Sequence, residues 1–310
     1  MRADRRVTKP IVAIMKDRKE EDSLTKALDL LPIKEIIREG DRVVIVPNWV
    51  KNKPPVTGSV VGPNTLKRLI RYVKNFKPSR ITIATGSGGD PTPTVMNSVG
   101  YNKVIEEEMV EFVDLNYGPY IDLKLEHCYI RQTKINNLIN DIDVLVSFTQ
   151  LKHHEEAAMS AGIKNIALGW PPAEIHGFPK KNLGIHEDLH GFILSMAKKI
   201  PIDLTIVSAD KAMIGTGPSS GMTVNGQGLV IAGTDPVAVD TIGARLLGFL
   251  PQAVYYLYQA YKSGIGEARP ENMELKGLML EEAERFFSMS AYKTEIVLDK
   301  GEIKDIHGNH

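Results

Sequence analysis

One cysteine, Cys128, stands in 310 residues. A lone thiol excludes an internal disulfide, a four-cysteine zinc site and an intrinsic iron–sulfur cluster ligated by cysteines of this chain. No apolar run approaches the ~20 residues of a membrane span, so no membrane partner is expected. The basic segment Met1–Lys9 has no apolar h-region after it, so no signal peptide is read there and a cytoplasmic location is the expectation. Lys+Arg and Asp+Glu number 38 each, and without an excess charge no global field draws the chain to nucleic acid. No repeat and no low-complexity tract is found. What is present, 43% hydrophobic and 25% charged residues, is an ordinary globular composition, long enough for one large domain or two.

Short apolar, β-branched runs bounded by turn residues predict buried strands at 11–15, 43–46, 81–84, 111–115, 144–148, 204–207 and 229–232. Helical spacing predicts helices at 23–31 (with Ser23 as cap), from 63 to the stop at Pro78, at 101–109 and 187–199, from the Asp235 cap to about Leu247, and at 251–261 and 281–287. The second of these is the clearest: Leu66, Leu69, Ile70, Val73 and Phe76 share one face, and Lys67, Arg68, Arg71 and Lys74 cover the other. Residues 33–38 read as a further turn or two, 135–139 as helix, 117–131 as irregular strand, and Glu295–Ile306 as a hairpin around Asp299-Lys300-Gly301. The order helix, strand, glycine loop implies parallel crossover units. The fold class expected is α/β, a mainly parallel sheet flanked by helices with a cleft at the strand ends. It is read as a single family domain over 1–310, with two lobes, about 1–150 and 151–290, as the alternative division, and a C-terminal hairpin over 291–310.

The chemistry concentrates in 144–170. A buried strand there runs into Lys152-His153-His154-Glu155-Glu156, then small residues, then Lys164-Asn165 and Gly169. Ligands of open α/β sheets lie beyond the carboxyl ends of the strands. Five of the eight histidines, His153, His154, His176, His186 and His190, fall in one stretch of sequence, and imidazole serves both as proton shuttle and as metal ligand. His153 and His154 are adjacent, so one should face inward and one outward. His186 and His190 are four apart, which suits one helical face, although a zinc-protease helix is not read there. A divalent metal on His153, His154, His176 or His186 is weighed against surface or hydrogen-bonded histidines. Lys164, after Ala161-Gly162 and before an apolar run, should be partly enclosed, which lowers an amine's pKa and makes it a base or nucleophile; the alternative is a lysine paired with Glu155 or Glu156. The loop Gly86-Ser87-Gly88-Gly89 follows a strand, so its amides could cradle an anion, or it is an ordinary tight turn. The second glycine loop, 215–221, fits neither a dinucleotide nor a P-loop pattern. Loops 51–62 and 170–184 read as site-proximal. Asp235 reads as a helix cap, and Asp240, within an apolar helix, as a buried carboxylate that needs a partner.

The motifs Val44-Ile45-Val46-Pro47-Asn48, Ile83-Ala84-Thr85-Gly86-Ser87-Gly88-Gly89, Leu151-Lys152-His153, Gly162-x-Lys164-Asn165-x-x-x-Gly169, Gly215-x-Gly217-Pro218 and Gly233-x-Asp235-Pro236-Val237-Ala238-Val239-Asp240, in this order, resemble the domain-of-unknown-function family numbered 362. Members often carry an appended ferredoxin-type module whose cysteines this chain lacks. That family usually has an aspartate where Ser208 stands. More distantly the chain is similar to the lactate racemase family. That likeness implies a nickel-pincer nucleotide tethered to the lysine at Lys164, with His153 or His154 as upstream and His176 or His186 as downstream histidine.

The function expected is an enzyme acting on a small carboxylate-bearing metabolite, racemase- or redox-like by resemblance. His153, His154 and Lys164 would be catalytic; Asn48, Gly86, Ser87, Gly88, Gly89, Lys152 and Asn165 would line the pocket. The competing expectation is a non-catalytic ligand-binding protein, or an electron-transfer or assembly partner of iron–sulfur proteins. The aromatics at 249–261 suit either a core or a homo-oligomer face.

Overall fold

The apolar runs form strands because each buries side chains on both faces of one sheet. A computed structural model describes residues 4–49 and 51–299. Its strands are β1 (Ile11–Lys16), β2 (Arg42–Pro47), β3 (Arg80–Thr85), β4 (Glu111–Asp114), β5 (Tyr120–Lys124), β6 (Gln132–Asn136), β7 (Val144–His154), β8 (Ala158–Ser160), β9 (Leu204–Ile214), β10 (Met222–Asn225), β11 (Leu229–Gly233) and β12 (Glu274–Gly277). The large sheet runs in the order β12-β1-β11-β9-β7-β2-β3-β4, with β8 beside β7 and β10 beside β9; β5 and β6 pair separately. From β9 through β7, β2 and β3 to β4 all pairings are parallel, while β11 is antiparallel to both β1 and β9.

Side-chain alternation divides the core in two. Val44, Val46 and Leu145 face one hydrophobic cluster, and Val43, Ile45, Val144 and Val146 the other. Helices Glu20–Asp29, Pro63–Lys74 and Tyr101–Glu108 contribute to the second cluster; Gly162–Gly169, Leu189–Ala197, Pro236–Leu246, Tyr255–Lys262 and Leu280–Tyr292 contribute to the first. This is an α/β fold with both sheet faces covered, as parallel sheets require. Among the described residues no helix is long and apolar enough to cross a membrane.

Several local expectations are corrected. The first helix starts at Glu20 after Lys19, and Ser23 lies inside it, its hydroxyl turned back to the Lys19 carbonyl. Residues 132–136 extend as β6 because they pair with β5 in register Ile135↔Ile121, and a 3₁₀ turn, Asn137–Asp141, follows. The helix expected from Pro251 opens as a 3₁₀ turn and becomes α-helical at Tyr255. Strands β10 and β12 and the helices Thr92–Val99 and Ala173–His176 were not foreseen. Tyr292 ends a helix, and 293–299 form no strand; the rest of the expected hairpin lies outside the described residues.

The sheet positions the site through β7. This strand continues past its apolar run to His154 because β8 folds back on it, pairing Lys152 with Ser160 and His154 with Ala158. The chain then enters the Gly162–Gly169 helix, whose first turn is held by Asp240: its carboxylate accepts Gly162 N at 2.7 Å and Ile163 N at 3.0 Å. Here lies the buried carboxylate's partner. Glycine is required at 162, since a Cβ would come within 2.2 Å of Thr205 Cγ2.

Candidate functional site

Beyond the parallel carboxyl ends of β2, β3 and β7 lies a cavity of about 410 Å³. Asn48 and Trp49 follow β2, Thr85 and Gly86 close β3, and β7 supplies Thr149, Lys152 and His154. The Gly162–Gly169 helix adds Lys164 and Asn165, and loop 177–186 adds Pro179, Lys180, Lys181 and His186.

Three lysines dominate it. Lys152 and Lys180 are buried, 1% and 5% exposed, and Lys164 is half-buried. Lys152 donates to the Ser59 carbonyl at 3.0 Å. Lys180 donates to the carbonyls of Leu168 at 3.0 Å and Gly169 at 3.3 Å, with Gly86 O at 3.5 Å. The Lys164 amine makes no hydrogen bond or ion pair among the described residues. Burial pushes the Lys152 amine down to about 7, helped by the Lys164 charge. Burial likewise takes Lys164 to about 8, against the pull of Glu156, and Lys180 to about 7, against Asp114. None of the three has a carboxylate partner within ion-pair distance among the described residues, because Glu156 is engaged by His186 and, at 3.6 Å, by Lys181.

The adjacent histidines part as strand geometry demands. His153 turns away from the cavity, against Phe249 at 5.2 Å and the Tyr292 hydroxyl at 3.3 Å, its Nδ1 accepting Gly215 N. His154 lines the cavity. Its Nδ1 accepts the amides of Glu156 at 3.1 Å and Ala157 at 3.2 Å. That assigns the ring proton to Nε2. Burial, then the charges of Lys164 and Lys152, push the imidazole down to about 2. His154 is therefore a neutral N–H donor rather than a base.

The remaining expected residues are distributed unevenly. Asn48 and Asn165 border the cavity, yet their amides are braces: Asn48 to Ser59 O at 2.8 Å, Asn165 to Val46 O at 2.8 Å. Gly86, Gly88 and Gly89 line it; Ser87 does not. The Ser87 amide donates to Thr92, and those of Gly89 and Asp90 to the Ser87 hydroxyl, so these three amides are bound within the loop. A Cβ at Gly86 would meet Asn116 Oδ1 at 2.5 Å, and this close packing is one reason for glycine there. His176 lies off the cavity, against Thr133 at 2.8 Å. Asp235 caps its helix, accepting Val237 N at 2.8 Å.

Sequence reasoning missed Lys180. Its loop was read as site-proximal, and counting the cations in that loop would have found it. It also set aside His186-Glu187-Asp188-Leu189-His190, whose letters do fit His-Glu-x-x-His. The geometry is what separates it from a zinc helix: the helix begins only at Leu189, with Asp188 as cap, while His186 bonds Glu156 and His190 accepts Tyr256 N.

Fold and site together define an α/β protein with a lysine-lined cavity at the strand ends. The chain belongs to the family described as Domain of unknown function (DUF362), whose pattern matches residues 43–245. A thylakoid-associated protein of Synechocystis sp. is 22% identical over 236 residues, 76% of this chain and 72% of that protein. The lactate racemase apoprotein of Thermoanaerobacterium thermosaccharolyticum is 18% identical with a TM-score of 0.46, over 76% of this chain; the match spans 57% of the racemase.

The histidines here do not fit a metal centre of the kind expected from sequence. Among the described residues no three of His153, His154, His176 and His186 bring ligand atoms together; His127, Cys128 and Asp188 do, within 4.8 Å, and none of them lines the cavity.

Proposed function

We propose that this protein is an enzyme acting on a small carboxylate-bearing metabolite in this cavity. One observation carries the reading: three lysines converge there, and none has a carboxylate partner of its own among the described residues. An uncompensated buried charge is costly, and each amine's pKa falls as a result. A bound carboxylate would supply the missing charge and be held by charge-assisted hydrogen bonds. Lys152 and Lys180, fixed by backbone carbonyls, are the binding cations. Lys164 is the reacting amine, because among the described residues it alone of the three is tied to no backbone carbonyl, and burial, which takes it to about 8, leaves part of it neutral. His154 Nε2–H donates to a substrate oxygen. The reaction class is proton transfer at a carbon beside a carbonyl or carboxylate.

Solvent-deuterium exchange tests this. Small 2-oxo and 2-hydroxy acids incubated with the protein in heavy water should gain deuterium beside the carbonyl or carboxylate for at least one member, and Lys164→Ala should lose that exchange. No exchange across the panel, or exchange unchanged in the variant, overturns the reading.

A further inference from the structure

We propose that Lys164 forms an imine with a 2-oxo acid held in this cavity. The inference rests on the carboxylate-binding reading above and adds a covalent bond and a second recognised group, the carbonyl next to the carboxylate.

The amines of the cavity are not equivalent. Lys152 and Lys180 are buried and tied to backbone carbonyls. Lys51 and Lys181 are exposed, and Lys181 pairs with Glu156. Lys164 is the half-buried amine on the wall that, among the described residues, has no bond to give up before it reacts. It stands in the first turn of a helix whose amides Asp240 fixes, so its stem has a defined origin. Lys152 is near enough for the two charges to repel, and desolvation beside a second cation is a known way to make lysine nucleophilic. At neutral pH roughly a tenth of such an amine is neutral, against less than about a thousandth for an ordinary lysine. His154, neutral and oriented by two backbone amides, presents Nε2–H to polarise a carbonyl.

The step balances without a redox partner. The Lys164 Nζ lone pair attacks C2 of the oxo acid, and the carbonyl π electrons move to oxygen, which is protonated. The carbinolamine then loses that oxygen as water as the C=N bond forms, with the amine's protons passing to the departing oxygen. The net change is amine plus ketone to imine plus water.

The test uses the full chain with pyruvate and sodium borohydride, which reduces an imine to a stable secondary amine. Peptide mapping is expected to find the adduct on Lys164 alone, at least tenfold above Lys152 and Lys180. Propionate, which keeps the carboxylate and lacks the carbonyl, should compete with it. Lys164→Ala should lose the adduct while retaining a cooperative melt. Because mapping is done on the unaltered chain, a variant that fails to fold leaves the result standing. An adduct spread over several lysines overturns the imine. So does no adduct while pyruvate still raises the melting temperature, and in that case the carboxylate-binding reading survives. No adduct and no shift with pyruvate or propionate removes both.

Discussion

At the amino ends of β2, β3 and β7, Arg42 bonds Asp143 at 2.8 Å and also pairs with Asp141, Arg80 pairs with Asp141, and Arg6 holds Asp41 at 2.9 Å. At the carboxyl ends of the same strands, Lys152 and Lys180 meet carbonyls, and Lys164 has no hydrogen-bond or ion-pair partner among the described residues. The first set is partly exposed and paired; the second is more enclosed and unpaired. A fold gains nothing from burying amines without carboxylates, so the imbalance points to a demand outside folding.

The comparison breaks most severely at Asp240, which holds the lysine-bearing helix. Asp240→Ala leaves two buried amides without an acceptor and should cost about 2–4 kcal/mol, measured by denaturant unfolding, with the response to carboxylates lost as well. A variant within about 0.5 kcal/mol of the parent would remove Asp240 from the account.

Lys152→Met should act in opposite directions on stability and binding. Removing a buried, unpaired amine should stabilise the ligand-free protein by about 1–3 kcal/mol and weaken carboxylate binding at least about tenfold. The pH dependence carries the sign. The folded Lys152 pKa, about 7, lies below its ordinary 10.5, so the unfolded chain holds more protons between these values. This lysine's contribution therefore makes stability rise with pH across that window, and Lys152→Met should flatten the rise. An unchanged slope would contradict it.

Carboxylate affinity should itself fall as pH rises through about 7 to 8, where Lys152 and Lys180 and then Lys164 lose their protons. Affinity constant up to pH 9.5 would mean that the amines do not hold the ligand. The smallest effect belongs to the paired end: Arg42→Met removes a solvent-screened ion pair, so it should lower stability only slightly and leave carboxylate binding untouched. A loss of binding there would erase the contrast between the two ends.

Much of the fold was legible because buried strands leave dense apolar runs. β11 and the first half of β7 could be read directly, and Asp240 was conspicuous as a carboxylate in an apolar helix. The opposed faces of His153 and His154 followed from strand periodicity alone. Strands β10 and β12 were hidden because few of their residues are buried: only Val224 in β10, and none in β12. The 135–139 segment misled because its strand character comes from pairing with β5, a contact that local spacing does not encode. Lys180 was missed because a loop brings it to the cavity from outside the central motif, and only the cations of that loop pointed to it. The glycine loop read equally as an anion cradle or a tight turn, and the amides of Ser87, Gly89 and Asp90 are bound to Thr92 and Ser87.

The central claim is that unpaired amines hold a carboxylate. It is tested most directly by calorimetric titration of the full chain at neutral pH with propionate and with propionamide, which has nearly the same shape and no charge. The account predicts heat and saturation with propionate, none with propionamide, and loss of the propionate signal in Lys152→Met. Equal binding of acid and amide, or propionate binding unchanged in Lys152→Met, would contradict it.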